Sequence, residues 1–358
     1  MPSDPTVIDG PRQHSPSFDM LRPYGWSDRV FALWNEVRDP SLRPARVVRV
    51  ERGACVVAGD DGVERMTRTP EGVAVGDWVG VTGGTVRAVL PRWSTVARMD
   101  PARSGAQAGA QVLAADVDVV VITAPADRLT AARVERELAV AWDSGAVPVV
   151  AVTKVDLDHG TDAAGDLEMR LRGVDVLATS ARTGEGLTEL RSLLSSGRTG
   201  LLFGASGAGK STLANALMGA DVQVTETVRE DDSRGRHTTT SRQLLCLPSG
   251  GVLIDTPGLR SLALAGDVAL DEVFPEIDEL ARACRFRDCR HAGEPGCAVL
   301  AAVADGSLDS GRLSSYRKLE READFERRRL DPLARRAARR LWIQRGQEVR
   351  RFDKRRPH

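Results

Sequence analysis

The stretch Gly204-Ala205-Ser206-Gly207-Ala208-Gly209-Lys210-Ser211 decides how the chain is read. It has a glycine, four residues, then Gly-Lys-Ser. The apolar run Leu201-Leu202-Phe203 precedes it, and Ser211-Thr212-Leu213-Ala214-Asn215-Ala216-Leu217 follows with helical spacing. A strand, a glycine-rich turn and a helix start are the parts a phosphate cradle needs. Glycines let backbone N–H groups turn inward around phosphate oxygens, and the helix N-terminus adds its dipole. Lys210 then reaches the β- and γ-phosphates and the Ser211 hydroxyl ligates Mg²⁺, with Thr212 in the same helix start. A plain Gly-rich turn gives no reason for Lys-Ser at this offset. The expectation is a nucleoside triphosphate site.

Around the loop the pattern is α/β. Residues 117–123 and 147–153 are continuous β-branched runs of the kind that form buried parallel strands. Residues 128–143 have a helical pattern between them, 174–179 form a third strand-like run, and 187–194 read as a helix. Residues 252–254 add an apolar strand that ends at Asp255-Thr256-Pro257-Gly258. Alternating strands and helices predict a doubly wound parallel sheet with its ligand at the strand carboxyl ends.

Two loops bear on the base and on hydrolysis. Asp255-Thr256-Pro257-Gly258 fits Asp-x-x-Gly, placing Asp255 on Mg²⁺ through water and the Gly258 amide on the γ-phosphate. Thr153-Lys154-Val155-Asp156 resembles the guanine-reading Asn-Lys-x-Asp. A carboxylate at Asp156 accepts from the ring N–H and the exocyclic amine of guanine. Adenine lacks that donor pair, and sites built this way reject the wrong base by ~10⁴-fold or more. Lys154 lies along the base plane, and Ser180-Ala181 resembles a further backbone contact to the guanine carbonyl. Thr153 stands where the pattern has Asn, so a hydroxyl replaces an amide, a change that bears on affinity more than on selectivity. The order is also unusual. The base-reading residues precede the phosphate loop, which predicts a circularly permuted domain whose Asp-x-x-Gly loop runs directly into a downstream domain.

Upstream, residues 1–20 are Pro/Ser/Asp-rich without periodicity and read as disordered. Tyr24, Trp26, Phe31 and Trp34 suggest a packed segment. Five short β-rich runs at 46–50, 54–58, 63–69, 77–81 and 85–89, with Asp61-Gly62 and Gly83-Gly84 as turn signals, predict a small barrel with the OB-fold as first choice. Nucleic-acid binding fits such a barrel, although Trp78 is the one aromatic within its strands.

The charges balance, at 50 basic and 50 acidic residues, but from Arg312 onward 17 Lys/Arg face 7 Asp/Glu. A basic tail on an acidic body suggests a polyanion such as nucleic acid; a solvated helical face is the plainer reading. No apolar run is long enough to span a bilayer and no secretory signal is visible, so a soluble cytoplasmic protein without a membrane partner is expected. Cys284, Cys289, His291 and Cys297 have the spacing of a closed, structural Zn²⁺ site. Residues 310–329 and 333–351 read as basic helices.

The permuted loops, the preceding barrel, and the run Cys284-Arg285-Phe286-Arg287-Asp288-Cys289-Arg290-His291 through Glu294-Pro295-Gly296-Cys297 together resemble the RsgA/YjeQ family of small-ribosomal-subunit-dependent GTPases. The resemblance covers most of the chain from about residue 21. It implies GTP hydrolysis to GDP and phosphate stimulated by the small ribosomal subunit, a role in late maturation of that subunit, and rRNA contacts by the barrel, the zinc domain and the basic helices. It also implies that one of Thr238 or Thr239 completes the Mg²⁺ shell. Leu259, just after Asp-x-x-Gly, cannot orient water, and the resemblance points to His237 as the catalytic polar group beside Lys210 and Thr239; a solvated switch-loop histidine is the alternative. The expected organisation is a disordered 1–20, a barrel unit at 21–95, a permuted GTPase domain at 96–265, and an α-helical zinc domain with a basic tail at 266–358, in a monomer. Competing readings are a nucleotide-gated RNA-binding module with incidental hydrolysis and, disfavoured by Asp156, a P-loop kinase or ATPase.

Overall fold

The computed structural model describes residues 18–51, 53–99, 110–157, 160–195, 197–219, 242–255 and 270–330. At the N-terminal end a 3-10 turn (Phe18–Tyr24) and α1 (Asp28–Trp34) gather the early aromatics. Phe18 stacks on Trp26 at 4.4 Å, and Trp26 meets Trp78 edge-on at 5.2 Å. Leu21, Val30, Trp78 and Leu90 close this small core. Trp78 is buried and unavailable to a nucleobase; it packs, as its position in a strand favours.

Five strands follow: β1 (Arg43–Glu51), β2 (Ala54–Gly59), β3 (Gly62–Met66), β4 (Trp78–Thr82) and β5 (Thr85–Val89). They pair antiparallel in the order β3-β2-β1-β4-β5, and a parallel bridge from Arg68 to Thr85 brings the chain after β3 back to β5. Alternate side chains, Ala45, Val47, Cys55, Val57, Met66, Val79, Val81 and Val86, fill the interior. The pairing supports the barrel expectation and makes Cys55 a core residue.

A stretch with no strand in the sequence expectation contains β6 (Thr95–Met99) and β7 (Ala110–Ala115), paired antiparallel. Its Ala- and Gly-rich sequence has low intrinsic strand preference. Burial of Val96, Leu113 and Ala114 against the neighbouring core supplies what propensity lacks.

Beyond it lie β8 (Val119–Pro125), α2 (Ala131–Asp143), β9 (Val147–Thr153), α3 (Gly160–Arg170), β10 (Asp175–Thr179), α4 (Leu187–Leu193), β11 (Thr199–Gly204), α5 (Lys210–Met218), β12 (Gln243–Cys246) and β13 (Val252–Asp255). The sheet order is β10-β9-β8-β11-β13-β12, parallel except for β12. Period-two alternation sends Val119, Val121, Val149, Ala151, Leu202 and Leu253 to the face covered by α4 and α5. Val120, Ile122, Val150, Val152, Leu201 and Ile254 go to the opposite face, with α2 and α3. Helix α3 and strand β12 are absent from the sequence expectation. Gly160 and Gly165 each lower helix propensity by ~1 kcal/mol, and β12 is four residues long.

Strand β12 also pairs with β1 through Gln243 and Arg49, so the sheet continues into the barrel. At this junction the fully buried Arg46 donates to the Gly76 carbonyl (3.0 Å), Thr199 Oγ1 (2.8 Å), the Asp116 carbonyl (3.3 Å) and the Tyr24 carbonyl. Burial lowers its pKa to about 10, which still leaves it charged at neutral pH.

The C-terminal part contains α6 (Leu270–Val273), α7 (Pro275–Ala281), α8 (Ala298–Asp305) and α9 (Ser310–Leu330). It is fastened to the sheet domain by buried charges. Arg312 on α9 reaches Glu135 on α2 (3.0 Å) and Glu276 on α7 (2.6 Å), while Arg170 at the end of α3 joins Glu135 (2.9 Å) to Asp309 (3.0 Å). Among the described residues no helix is long and apolar enough to cross a membrane.

Candidate functional site

Four parallel strands place their motif residues along one edge of the sheet, because each motif sits at a strand's carboxyl end. Strand β11 delivers Gly204, β9 delivers Thr153, β10 leads into Ser180, and β13 ends on Asp255. Gly204 has φ +142°, and a Cβ there would lie 2.5 Å from both the Thr123 carbonyl oxygen and its hydroxyl. Only glycine lets the loop leave β11 this close to β8.

Within the loop Ala205, Ser206, Gly207 and Ala208 make the turn. Gly209 (φ +88°) caps α5, so Lys210, Ser211 and Thr212 form its first turn. Lys210 Nζ donates to the carbonyls of Gly204 (2.8 Å) and Ala205 (2.6 Å), so its ammonium folds across its own loop. Thr153 Oγ1 donates to the Ala208 carbonyl at 2.8 Å. The residue that departs from the guanine pattern therefore ties the end of β9 to the Gly204–Ser211 loop.

Lys154 has φ +61°, and its Nζ lies 3.3 Å from Asp127 in the 3-10 turn (Ala126–Arg128) that ends β8. Val155 is buried beneath it. Asp156 Oδ1 accepts from Ser180 Oγ at 2.6 Å, and Oδ2 accepts from Arg182 Nε at 2.8 Å. The Ser180 hydroxyl, then Arg182, hold this carboxyl below the usual aspartate range. Ser180 Oγ also accepts from the Arg182 and Thr183 amides, which folds the Ser180-Ala181 turn over Asp156. Gly258, His237, Thr238, Thr239 and Leu259 lie outside the described residues, as does the stretch 333–351.

The metal candidates converge. Cys284 Sγ lies 3.6 Å from His291 Nδ1 and 3.8 Å from Cys297 Sγ, and His291 Nδ1 lies 3.4 Å from Cys297 Sγ. With Cys289 all four ligand atoms fall within 4.8 Å of one another. Metal–ligand bonds of about 2.0–2.3 Å at tetrahedral angles put ligand atoms roughly 3.5–3.8 Å apart, so the cluster fits a tetrahedral ion. Glu294 shapes the loop between the last two ligands. Its carboxylate accepts from the amides of Ala292 (2.7 Å), Gly293 (3.1 Å) and Arg290 (3.2 Å). Backbone hydrogen bonds, its own amide first, bring its pKa down to about 2.

Sequence reasoning gave no role to Asp127, Arg182 or Glu294. Arg182 was open to discovery as the charge directly after Ser-Ala, and Glu294 as a carboxylate between two metal ligands. Asp127 offers no local signal, since only the β8–β9 pairing brings it to Lys154.

A Thr-Lys-x-Asp loop after β9, then a Gly-x4-Gly-Lys-Ser loop after β11, then an aspartate closing β13, in this chain order, fit a circularly permuted P-loop GTPase. A family model described as RsgA GTPase matches residues 89–265. The small ribosomal subunit biogenesis GTPase RsgA of Streptomyces coelicolor is 48% identical, over 91% of this chain and 93% of that protein. The namesake from Opitutus terrae is 41% identical, over 92% and 97%. The crystal structure of YjeQ from Thermotoga maritima superposes with a TM-score of 0.58 at 26% identity, covering 79% of this chain and 98% of that one. YloQ, a circularly permuted GTPase, shares the fold with a TM-score of 0.55 at 23% identity. The chain belongs to the RsgA GTPase family.

Proposed function

We propose that this chain hydrolyses GTP to GDP and phosphate while bound to the small ribosomal subunit, in late maturation of that subunit. The observation that carries the reading is the meeting of the phosphate loop 204–211 with the Asp156 carboxylate along one sheet edge, joined by the Thr153–Ala208 hydrogen bond. Lys210 serves the β- and γ-phosphates, Ser211 and one of Thr238 or Thr239 ligate Mg²⁺, Asp255 acts on it through water, and Gly258 senses the γ-phosphate. Thr153, Lys154, Val155, Asp156, Ser180 and Ala181 form the guanine side. His237 is the catalytic polar group, with Lys210 and Thr239. Cys284, Cys289, His291 and Cys297 hold one structural Zn²⁺.

The names of the relatives support the subunit as partner, and the excess of basic residues from Arg312 onward supports rRNA contact. The division expected from sequence is kept: an OB-type barrel unit at 21–95, the permuted GTPase at 96–265 and the zinc domain from 266, in a cytoplasmic monomer. GTP turnover with purified small and large subunits in separate reactions tests the reading. Stimulation by the small subunit alone is expected. No stimulation in low salt would leave a nucleotide-gated RNA-binding module, and turnover of ATP equal to that of GTP would overturn the base assignment.

A further inference from the structure

We propose that Arg182 is a displaceable competitor for the guanine base, occupying one oxygen of Asp156 in the empty site and leaving when the base arrives. The inference rests on the reading of Asp156 as the guanine-reading carboxylate.

Guanine presents two adjacent donors, so a carboxylate that reads it must offer acceptor capacity on both oxygens. Here each oxygen already has a donor from the chain. Ser180 Oγ takes Oδ1 at 2.6 Å and Arg182 Nε takes Oδ2 at 2.8 Å. The two donors differ in how easily they leave. Ser180 is fully buried, and its hydroxyl oxygen is pinned by the amides of Arg182 and Thr183 at 3.2 Å each. Its proton points to Asp156 for as long as the turn exists. Arg182 is different. Its side chain is 75% exposed while that of Asp156 is 11% exposed, so the guanidinium comes to the carboxylate from the solvent side.

The pair is open to solvent on its Arg182 side, and such a pair is weak and therefore replaceable. Arg182 occupies Oδ2 in the empty site and yields it to the base. The ammonium groups nearby follow the same logic: Lys154 rests on Asp127, and Lys210 on loop carbonyls. Of these self-contacts, the one at Arg182 sits on an atom the base itself must use.

Arg182→Ala, Arg182→Lys and the parent chain are compared for binding of GDP and ADP by calorimetry, in low and high salt at pH 7.5. Exposed ion pairs are worth about 0.2–1 kcal/mol, so Arg182→Ala is expected to bind GDP roughly 1.4- to 5-fold more tightly in low salt. Arg182→Lys is expected to stay near the parent value, and high salt should shrink the difference because screening weakens the competing pair. Unchanged or weaker GDP binding by Arg182→Ala in low salt overturns the proposal, as does an equal gain for ADP. If the parent chain shows no preference for GDP over ADP, the guanine reading itself fails, an outcome separate from either of these.

Discussion

Thr153 Oγ1 and the Ala208 carbonyl oxygen meet at 2.8 Å, and both residues are buried. This one hydrogen bond connects the end of β9, which carries the Thr-Lys-x-Asp residues, to the Gly204–Ser211 loop. The hydroxyl thus does mechanically what the amide of the usual Asn could do. Thr153→Val keeps the shape and removes the donor, leaving the Ala208 carbonyl without it. A net loss of about 1 kcal/mol corresponds to roughly fivefold weaker GDP binding, while Thr153→Ser should remain near the parent value. Calorimetric titration of GDP checks both, and equal affinities for Val and Thr would show that the loop is positioned without this bond.

Asp116 gives a prediction about pH. It is fully buried with φ +55°, and it accepts from the Trp93 amide at 3.3 Å. Burial pushes its pKa up to about 7, against the pull of Arg46. A carboxyl with a folded-state pKa above its unfolded value near 3.9 favours folding in its protonated form. Its stabilising effect is therefore present below pH 4 and lost as pH rises toward 7. Asn at this position mimics the neutral acid and tolerates the left-handed backbone. Asp116→Asn should raise stability at pH 8 by ~1–4 kcal/mol and leave it nearly unchanged at pH 4. Urea denaturation at the two pH values measures this, and an equal effect at both would mean that Asp116 does not titrate in this range.

The motifs gathered on one sheet edge were legible in the sequence because each of them is local. The phosphate loop is one uninterrupted stretch, and Lys154–Asp156 and Ser180–Ala181 each follow a β-branched run that declares a buried strand. The Cys/His cluster was legible for the same reason, as three cysteines and a histidine within fourteen residues. What escaped depends on pairing between distant segments. Arg46 looks like one more polar residue in a barrel strand, yet it is buried because Tyr24, Asp116 and Thr199 come together around it. Glu135 sits within a helix of unremarkable amphipathic pattern, and only the approach of α9 makes it a buried ion. No periodicity reports such contacts. The β6–β7 hairpin and α3 escaped because their Gly and Ala content hides a structure that packing imposes.

The α2–α9 joint offers a test of those distant contacts. Glu135 Oε1 accepts from both Arg170 and Arg312, and the Glu135 and Arg312 side chains are almost wholly buried. Removing one partner of a buried pair strands the other, at a cost of about 3–5 kcal/mol. Glu135→Leu and Arg312→Met should each be destabilising by about that amount, and the double variant by less than their sum because neither leaves an uncompensated charge facing the other. A double-mutant cycle from denaturation midpoints gives the coupling, expected above ~1 kcal/mol. Additive effects would mean that the two domains are held together by other contacts.

Glu294 makes the metal centre testable through a residue that is not itself a ligand. Its carboxylate gathers the amides of Arg290, Ala292 and Gly293 on the loop that carries His291, and it lies 3.8 Å from Cys289 Sγ. His291 itself has φ +55°, so its backbone depends on neighbouring contacts to keep the imidazole turned toward Cys284 and Cys297. Groups that orient ligands in this way typically account for 10- to 100-fold in metal affinity. The parent chain should yield about one Zn²⁺ per molecule, and Glu294→Ala should lose it to a chromophoric chelator at ~10-fold or more lower chelator concentration. Cys297→Ser should be more severe, since the Cys297 thiol also accepts from the Leu300 amide at the start of α8. Zinc retention equal to the parent in Glu294→Ala would show that the loop keeps its shape without the carboxylate, and a folded parent chain free of metal would remove the metal assignment altogether.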